Sequence, residues 1–122
     1  MRGVTEPISL TTALASFAEL WSPRIVTRVN DYDIRVVRVQ GEFVRHQHVD
    51  TDELFLCLDG ELEIRLDDGV VRLGPGELYV VPAGVHHQPA AQSEARVLLF
   101  EPSSVVNTGD AGGPMTAPRI EL

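Results

Sequence analysis

The sequence predicts an all-β domain, an antiparallel sandwich or barrel led by one short helix. Two observations carry that reading. Apolar and polar residues alternate over many short runs, and turn signals rich in Gly, Pro, Asn and Asp separate the runs. Only residues 9 to 21 (SLTTALASFAELW) break the alternation, spacing Leu10, Leu14, Phe17 and Leu20/Trp21 at helical intervals. Ser9 is the expected N-cap of that helix and Pro23 its stop.

After Pro23 the period is two. Strands are expected near 25–29 (IVTRV), 34–39, 42–48, 53–58 (ELFLCL), 61–66 (ELEIRL), 70–73, 77–81 (ELYVV), 85–91 and 96–101 (RVLLFE). Asn30-Asp31, Gly41, Asp59-Gly60, Asp67-Asp68-Gly69, Gly74-Pro75-Gly76 and Pro82-Ala83-Gly84 supply the turns. From Pro102 onward Ser, Thr, Gly and Pro dominate, and the chain reads as an arm. The expected organisation is a helical lead-in over 1–24, a β-barrel over 25–101 and a C-terminal arm over 102–122.

A chain of 122 residues is one ordinary domain. Its net charge of −8, with ten scattered basic residues, argues against nucleic acid or anionic membrane as a partner. The single cysteine, Cys57, excludes an internal disulfide and fits a reducing compartment. The N-terminal MRGVTEP lacks an apolar signal core, and no apolar run approaches membrane-spanning length. The expected location is therefore the cytoplasm.

Chemistry concentrates in two stretches. In RHQHVDTDE, His46 and His48 occupy alternate positions, so on a strand both project from one face. Glu53 opens the next strand, close enough to return to that face. In GELYVVPAGVHHQP the turn Pro82-x-Gly84 is followed at once by His86 and His87, of which only one can point inward. Taken singly these features are ordinary: a His-x-His is more often surface or packing, and a glutamate entering a strand is usually solvated.

Together they read Gly41-x4-His46-x-His48-x4-Glu53-x6-Gly60, then Gly76-x5-Pro82-x-Gly84-x2-His87. This joint pattern resembles the two signature motifs of the cupin superfamily. The segments WSPRIV, GEFVRHQH, DELFLCLDGELEI and LGPGELYVVPAGVHHQP look like one subfamily of small single-domain cupins, often labelled mannose-6-phosphate isomerase-like. One residue is missing between Gly41 and His46 relative to the usual first motif. Ala91 replaces the asparagine that often ends the second. The resemblance implies a jelly-roll barrel in which His46, His48, Glu53 and His87 bind one divalent transition metal. It selects His87 over His86, which is expected to be exposed or at the pocket mouth.

Donor chemistry agrees with that implication. Three imidazoles and one carboxylate suit Fe, Mn, Zn, Ni or Cu better than Mg or Ca, which prefer all-oxygen shells. The carboxylate lowers the charge of the site from +2 to +1, which eases burial. An octahedral shell would keep two positions for water or a chelating substrate. The implied function is a small-molecule metalloenzyme, of oxygenase type with a redox metal or of isomerase or lyase type with a Lewis acid. The alternative is a non-catalytic binding or sensing module for a metal-chelated metabolite. A sugar-phosphate isomerase is disfavoured, because no basic phosphate site is evident.

The remaining candidates have bland readings. Cys57 is expected in the core and Tyr79 as a packed aromatic. Arg38 and Gln40 either reach a substrate carboxylate or are solvated. Asp50, Thr51 and Asp52 form the loop between ligands and can hydrogen-bond around them. Trp21 is expected to close the helix onto the barrel. Leu54, Leu56 and Leu58 face away from Glu53, Phe55 and Cys57, an apolar row that predicts a homodimer with the arm lying across its seam.

Overall fold

The computed structural model describes residues 6–122; the first five residues of MRGVTEP lie outside the described residues. The elements are α1 (Leu10–Ala15), β1 (Arg24–Val29), β2 (Tyr32–Glu42), β3 (Glu53–Asp59), β4 (Leu62–Leu66), β5 (Gly69–Leu73), β6 (Leu78–Val81), β7 (Gln88–Pro102) and β8 (Ile120–Glu121). Among the described residues strands dominate and the one helix is short, as the alternation predicts. Among the described residues, no helix is long and apolar enough to cross a membrane.

The architecture turns on the long antiparallel ribbon of β2 and β7, paired from Tyr32↔Pro102 to Glu42↔Ala90. Its register shifts between Val39 and Gly41, opposite residues 92–94. Such a bulge adds residues to one strand and bends the ladder. On one side of it β7 pairs with β4 through Gln88–Ala90. On the other side it pairs with β3, from Leu54↔Phe100 to Asp59↔Arg96. The ribbon therefore carries two walls, β5-β4 and β6-β3, that face each other across the core. The sheet is a jelly roll whose ladder runs β5-β4-β7-β2-β1-β8 without closing, so it is a barrel only in a loose sense.

Period-two patterning fills the interior from both walls. Val37, Val39, Phe55, Cys57, Leu62, Ile64, Leu73, Val81, Val97 and Leu99 form one buried cluster. Each such side chain contributes about 1.5–3 kcal/mol on leaving water. A second, smaller cluster lies outside the sheet, where Leu14 and Phe17 of the lead-in cover Val36.

Three boundaries differ from the sequence expectation. The helix stops at Ala15, not near Trp21. Ser9 caps its start by accepting from Thr12 N at 3.1 Å, but Leu20 is already bridged to Arg38 of β2. Pairing with the sheet overrides helical spacing there. The stretch 42–48 is not a full strand: it pairs only through Glu42 at the end of β2, the Phe43 N to Pro89 O bond and the bridge between His46 and His87. The two runs expected at 85–91 and 96–101 are one continuous strand, because the bulge absorbs Gln92-Ser93-Glu94 without a hairpin turn.

The arm after Pro102 packs on its own chain. Its last residues add a short parallel strand, Ile120 and Glu121 beside Arg24 and Ile25. A buried charge network ties it down. Asp33 and Arg35 share the inward parity of Val37 on β2, and both are buried. Arg35 Nη2 donates to Asp33 Oδ2 at 3.0 Å, and Arg119 Nη2 donates to Asp33 Oδ1 at 3.1 Å. Ser103 Oγ adds a bond to Asp33 at 2.8 Å. Burial alone would raise the Asp33 carboxyl, but these donors, Arg119 first, hold it well below the usual carboxylate range.

Removing this carboxylate strands a buried cation. Asp33→Ala should cost about 3–5 kcal/mol in urea denaturation, the usual penalty for breaking a buried pair from one side. Arg28→Ala, which deletes a guanidinium whose side chain is 49% exposed, should cost less than about 1 kcal/mol. Equal losses in the two variants would contradict the burial argument.

Candidate metal centre

Four side chains from three separate segments meet inside the jelly roll. His46, His48, Glu53 and His87 are all buried, and one donor atom from each lies within 4.8 Å of the others. Glu53 enters from the first position of β3, inward by the same parity that buries Phe55 and Cys57. His46 and His87 are held opposite each other by a reciprocal backbone pair, His46 N to His87 O at 3.0 Å and His87 N to His46 O at 2.8 Å. His86, one position away, is exposed.

The rings are aimed by their own backbone. His46 Nδ1 lies 3.0 Å from the Val44 carbonyl and His87 Nδ1 lies 2.9 Å from the Val85 carbonyl. A carbonyl only accepts, so Nδ1 carries the proton in each ring and Nε2 presents a lone pair to the centre. His87 Nε2 then meets Glu53 Oε1 at 3.2 Å. His48 Nε2 lies 3.2 Å from the same oxygen, yet its alignment is not that of a hydrogen bond. The Nε2 atoms of His46 and His48 are buried without any hydrogen-bond partner. Orphaned buried nitrogens are costly, and a cation shared with Glu53 is the group that would satisfy them. The donor set fits a divalent transition metal.

Electrostatics point the same way. Burial, reinforced by the neighbouring His87, pushes His46 down to about 4, so this imidazole is neutral near pH 7. Burial would raise Glu53, but the neighbouring imidazoles of His48 and His87 outweigh it and hold the carboxyl below the ordinary range. Behind Glu53 lies Glu101, fully buried at the end of the inward-facing row of β7. Arg35 Nη1 is 3.2 Å from Glu101 Oε1 but is not aligned to donate to it. Burial and then the Glu53 charge push the Glu101 carboxyl well up, which favours its protonated form.

Two surrounding segments steady the ligand residues. Asp52 Oδ1 accepts from Ala83 N at 2.9 Å, which pins the Pro82-x-Gly84 turn leading to His87. From the arm, Asp110 Oδ1 accepts from Gln47 N at 2.9 Å and Asp110 N donates to Gln47 O at 3.1 Å. Gln47 is the residue between the two ligand histidines of the first motif. Gly109 packs so tightly there that a Cβ would overlap the Gln47 carbonyl and stand 2.9 Å from His46 Cδ2, in a backbone conformation with φ +53°.

Other candidates are placed elsewhere. Cys57 is buried in the core, with its thiol near the Gly60 carbonyl at 3.5 Å. Tyr79 packs against the core from β6. Arg38 spends its guanidinium on Glu94 and the Phe17 carbonyl, and Gln40 is exposed. Trp21 lines an interior cavity and stacks on Phe43 at 4.8 Å. Sequence reasoning missed Glu101, Asp33 and Arg35, although the period-two parity with Leu99 and Val37 marked them as inward. It also missed Asn107, Gly109 and Asp110, for which the loop-like composition of the arm carries no signal.

The folded His46 titrates below its unfolded value of about 6.5. Between those values the unfolded chain binds the extra proton, so this group withdraws stability as pH falls. With His46 at about 4, the loss should approach about 3 kcal/mol across that window. Metal-free His46→Gln should show a correspondingly shallower loss of stability between pH 6.5 and 4 in denaturant titrations. An unchanged slope would mean that His46 is not held neutral by its burial.

With this geometry in place, the chain can be set beside known proteins. An uncharacterized protein of Bacillus subtilis (strain 168), YdbB, is 36% identical over 64 residues. That match covers 52% of this chain, and the chain spans only 57% of the relative's length. A cupin-2 domain containing protein from Shewanella frigidimarina superposes with a TM-score of 0.77 at 42% identity, covering 78% of this chain and 93% of that one. The hydroquinone 1,2-dioxygenase of Sphingomonas sp. TTNP3, solved with 4-hydroxybenzoate bound, has a TM-score of 0.69 at 17% identity. It covers 100% of this chain and 87% of its own, a likeness that shows the fold alone. The family model for the cupin domain matches residues 34–101, more than half of the chain, and with it the chain belongs to the cupin family.

Proposed function

We propose that this cupin is a metal-dependent enzyme for a small molecule, with one divalent transition metal held by His46, His48, Glu53 and His87. The observation that carries the reading is the pair of buried, partnerless Nε2 atoms on His46 and His48, converging with Glu53 and His87. When bound, Fe, Mn, Zn, Ni or Cu supplies a Lewis acid or a redox centre to a chelating substrate. The chain does the rest. The Val44 and Val85 carbonyls fix the tautomers and ring directions of His46 and His87. Glu53 contributes the one negative charge that makes a buried dication tolerable. The apolar walls keep bulk water from the centre. Oxygenase chemistry, or isomerase or lyase chemistry, follows from which metal is resident. The buried reduced thiol of Cys57 fits a reducing compartment, the cytoplasm.

Metal analysis of the purified protein, followed by oxygen consumption with chelating metabolites, tests this function. Iron with substrate-dependent uptake supports the oxygenase branch, and zinc without uptake supports the non-redox branch. A protein that takes up no transition metal would refute the proposal. His48→Ala and His87→Ala should each weaken metal binding by more than the roughly 10–100-fold cost of losing a ligand's hydrogen-bond partner. His86→Ala should bind metal like the wild type. Loss of metal in His86→Ala with retention in His87→Ala would reverse the assignment.

The proposal includes a homodimer. Leu78 and Val80 of β6 are 57% and 41% exposed, and they adjoin the half-buried Leu54, Leu56, Leu98 and Phe100 on the outer face. The helix reaches only Leu58 at the edge of this face, and a second copy would cover the remainder. Light scattering at micromolar concentration should give twice 13.4 kDa, and Leu56→Glu should halve it. A monomeric wild type would dispose of the dimer.

A further inference from the structure

The cavity beside the ligand cluster carries information about what enters it. Its wall includes His46 and Glu53, so it opens directly onto the proposed metal centre. The rest is apolar, with Trp21, Phe43, Phe55, Leu62 and Leu99 among the lining side chains. Trp21 stacks on Phe43, and the Phe43 ring stands edge-on to His46 at 5.5 Å, so the aromatic surface runs up to the ligand. Apart from His46 and Glu53, the only polar side chain on the wall among the described residues is Asn107. Its amide is already used: Nδ2 donates to Met115 O at 3.1 Å, and Oδ1 accepts from Ala117 N at 2.9 Å. Among the described residues, no arginine lines the cavity.

Two further features indicate that this wall is built for a purpose. Trp21 sits at φ 58°, a region costly for a bulky residue, and is held there by Trp21 N to Arg38 O at 2.8 Å and Nε1 to Gln40 O at 2.9 Å. The surroundings thus use two hydrogen bonds to hold one indole on the cavity wall. The interior offers about 40 Å³ to the centres of water-sized molecules, room for about three waters.

We infer that the site takes a small, uncharged and largely apolar ligand, on the scale of a single ring, whose one polar end faces His46 and Glu53. This rests on the metal-dependent reading above and names its substrate class. A phosphate would meet no cation other than the metal, in a chain of net charge −8. A polyol would bury hydroxyls against Trp21, Phe55 and Leu99 with no partner, an uncompensated cost. A planar apolar body instead gains the stacking surface of Trp21 and Phe43.

The test uses phenol, mannitol and glycerol 2-phosphate as probes of the full chain loaded with Co(II). The visible cobalt spectrum reports ligands reaching the metal. Emission from Trp21, the single tryptophan, reports occupancy of the cavity with or without metal. Phenol should change both signals saturably and bind at least about tenfold more tightly than either polar probe, the penalty for one unpaired buried polar group. Leu99→Phe, which fills the cavity, should abolish the phenol response while cobalt still binds. Should that variant fail to fold, the wild-type titrations decide alone. A cobalt spectrum that responds to glycerol 2-phosphate or mannitol as strongly as to phenol would overturn the inference and leave the metal site standing. If cobalt does not bind, the metal reading fails by itself. Saturable phenol binding at Trp21 would then still support the ligand class, and its absence would overturn that too.

Discussion

Glu53 is a carboxylate placed in an apolar interior, and much of the surrounding structure follows from the cost of keeping it there. An unpaired buried charge is among the most expensive features a domain can carry. Here it is met from one side by His48 and His87 and from behind by Glu101, whose own carboxyl is pushed up by burial and by the Glu53 charge. Glu101 in turn neighbours Arg35, and Arg35 is bonded to Asp33. Arg28, Ser103 and Arg119 complete the outer end of this chain of charges. A polar line thus runs from the ligand cluster to the surface through an otherwise apolar interior. Such a line is costly unless its members are satisfied; residues from β1, β2 and the arm satisfy its Asp33 end, while the Glu101 oxygens are buried without a hydrogen-bond partner.

That dependence explains why the arm is part of the folded body. Arg119 and Ser103 close the network, while Asp110 and Gly109 clamp Gln47 between the two histidines of the first motif. Asn107 anchors the arm beside Trp21 and walls one end of the cavity. The arm therefore supports the ligand cluster twice, once through charge and once through direct packing.

The two sides of the cluster differ in character. Toward the cavity, His46 and Glu53 look onto aromatic and aliphatic walls. Toward solvent, His48 borders a more open groove lined by Asp50, Thr51 and Asp110. Ligand-binding specificity in such a site comes from the few polar atoms that remain free once the scaffold has used its own. The free ones here are the donor atoms of the ligand residues.

Local periodicity alone determined much of this protein. Alternation along ELFLCL put Glu53, Phe55 and Cys57 inside and the three leucines outside, because a strand's side chains alternate whatever it pairs with. The same rule, applied to neighbours, allowed only one of His86 and His87 to face inward, and the resemblance to the family pattern selected His87. It extends to Asp33, Arg35 and Glu101, whose inward parity was visible in the sequence even though their roles were not. Spacing grouped His46, His48, Glu53 and His87 only through resemblance to a family pattern; the residues themselves left each one ordinary. Tertiary structure decided the rest. The helix gave up residues 16–21 to the sheet, since pairing at Leu20 and Trp21 outweighed helical spacing. Two expected strands became one through a bulge that only the partner strand β2 imposes. The arm's route depended on single contacts made by Asn107, Gly109, Asp110 and Arg119 with residues from 10 to 86 positions away, and long-range pairing of this kind leaves no periodic trace in a Ser-, Gly- and Pro-rich segment.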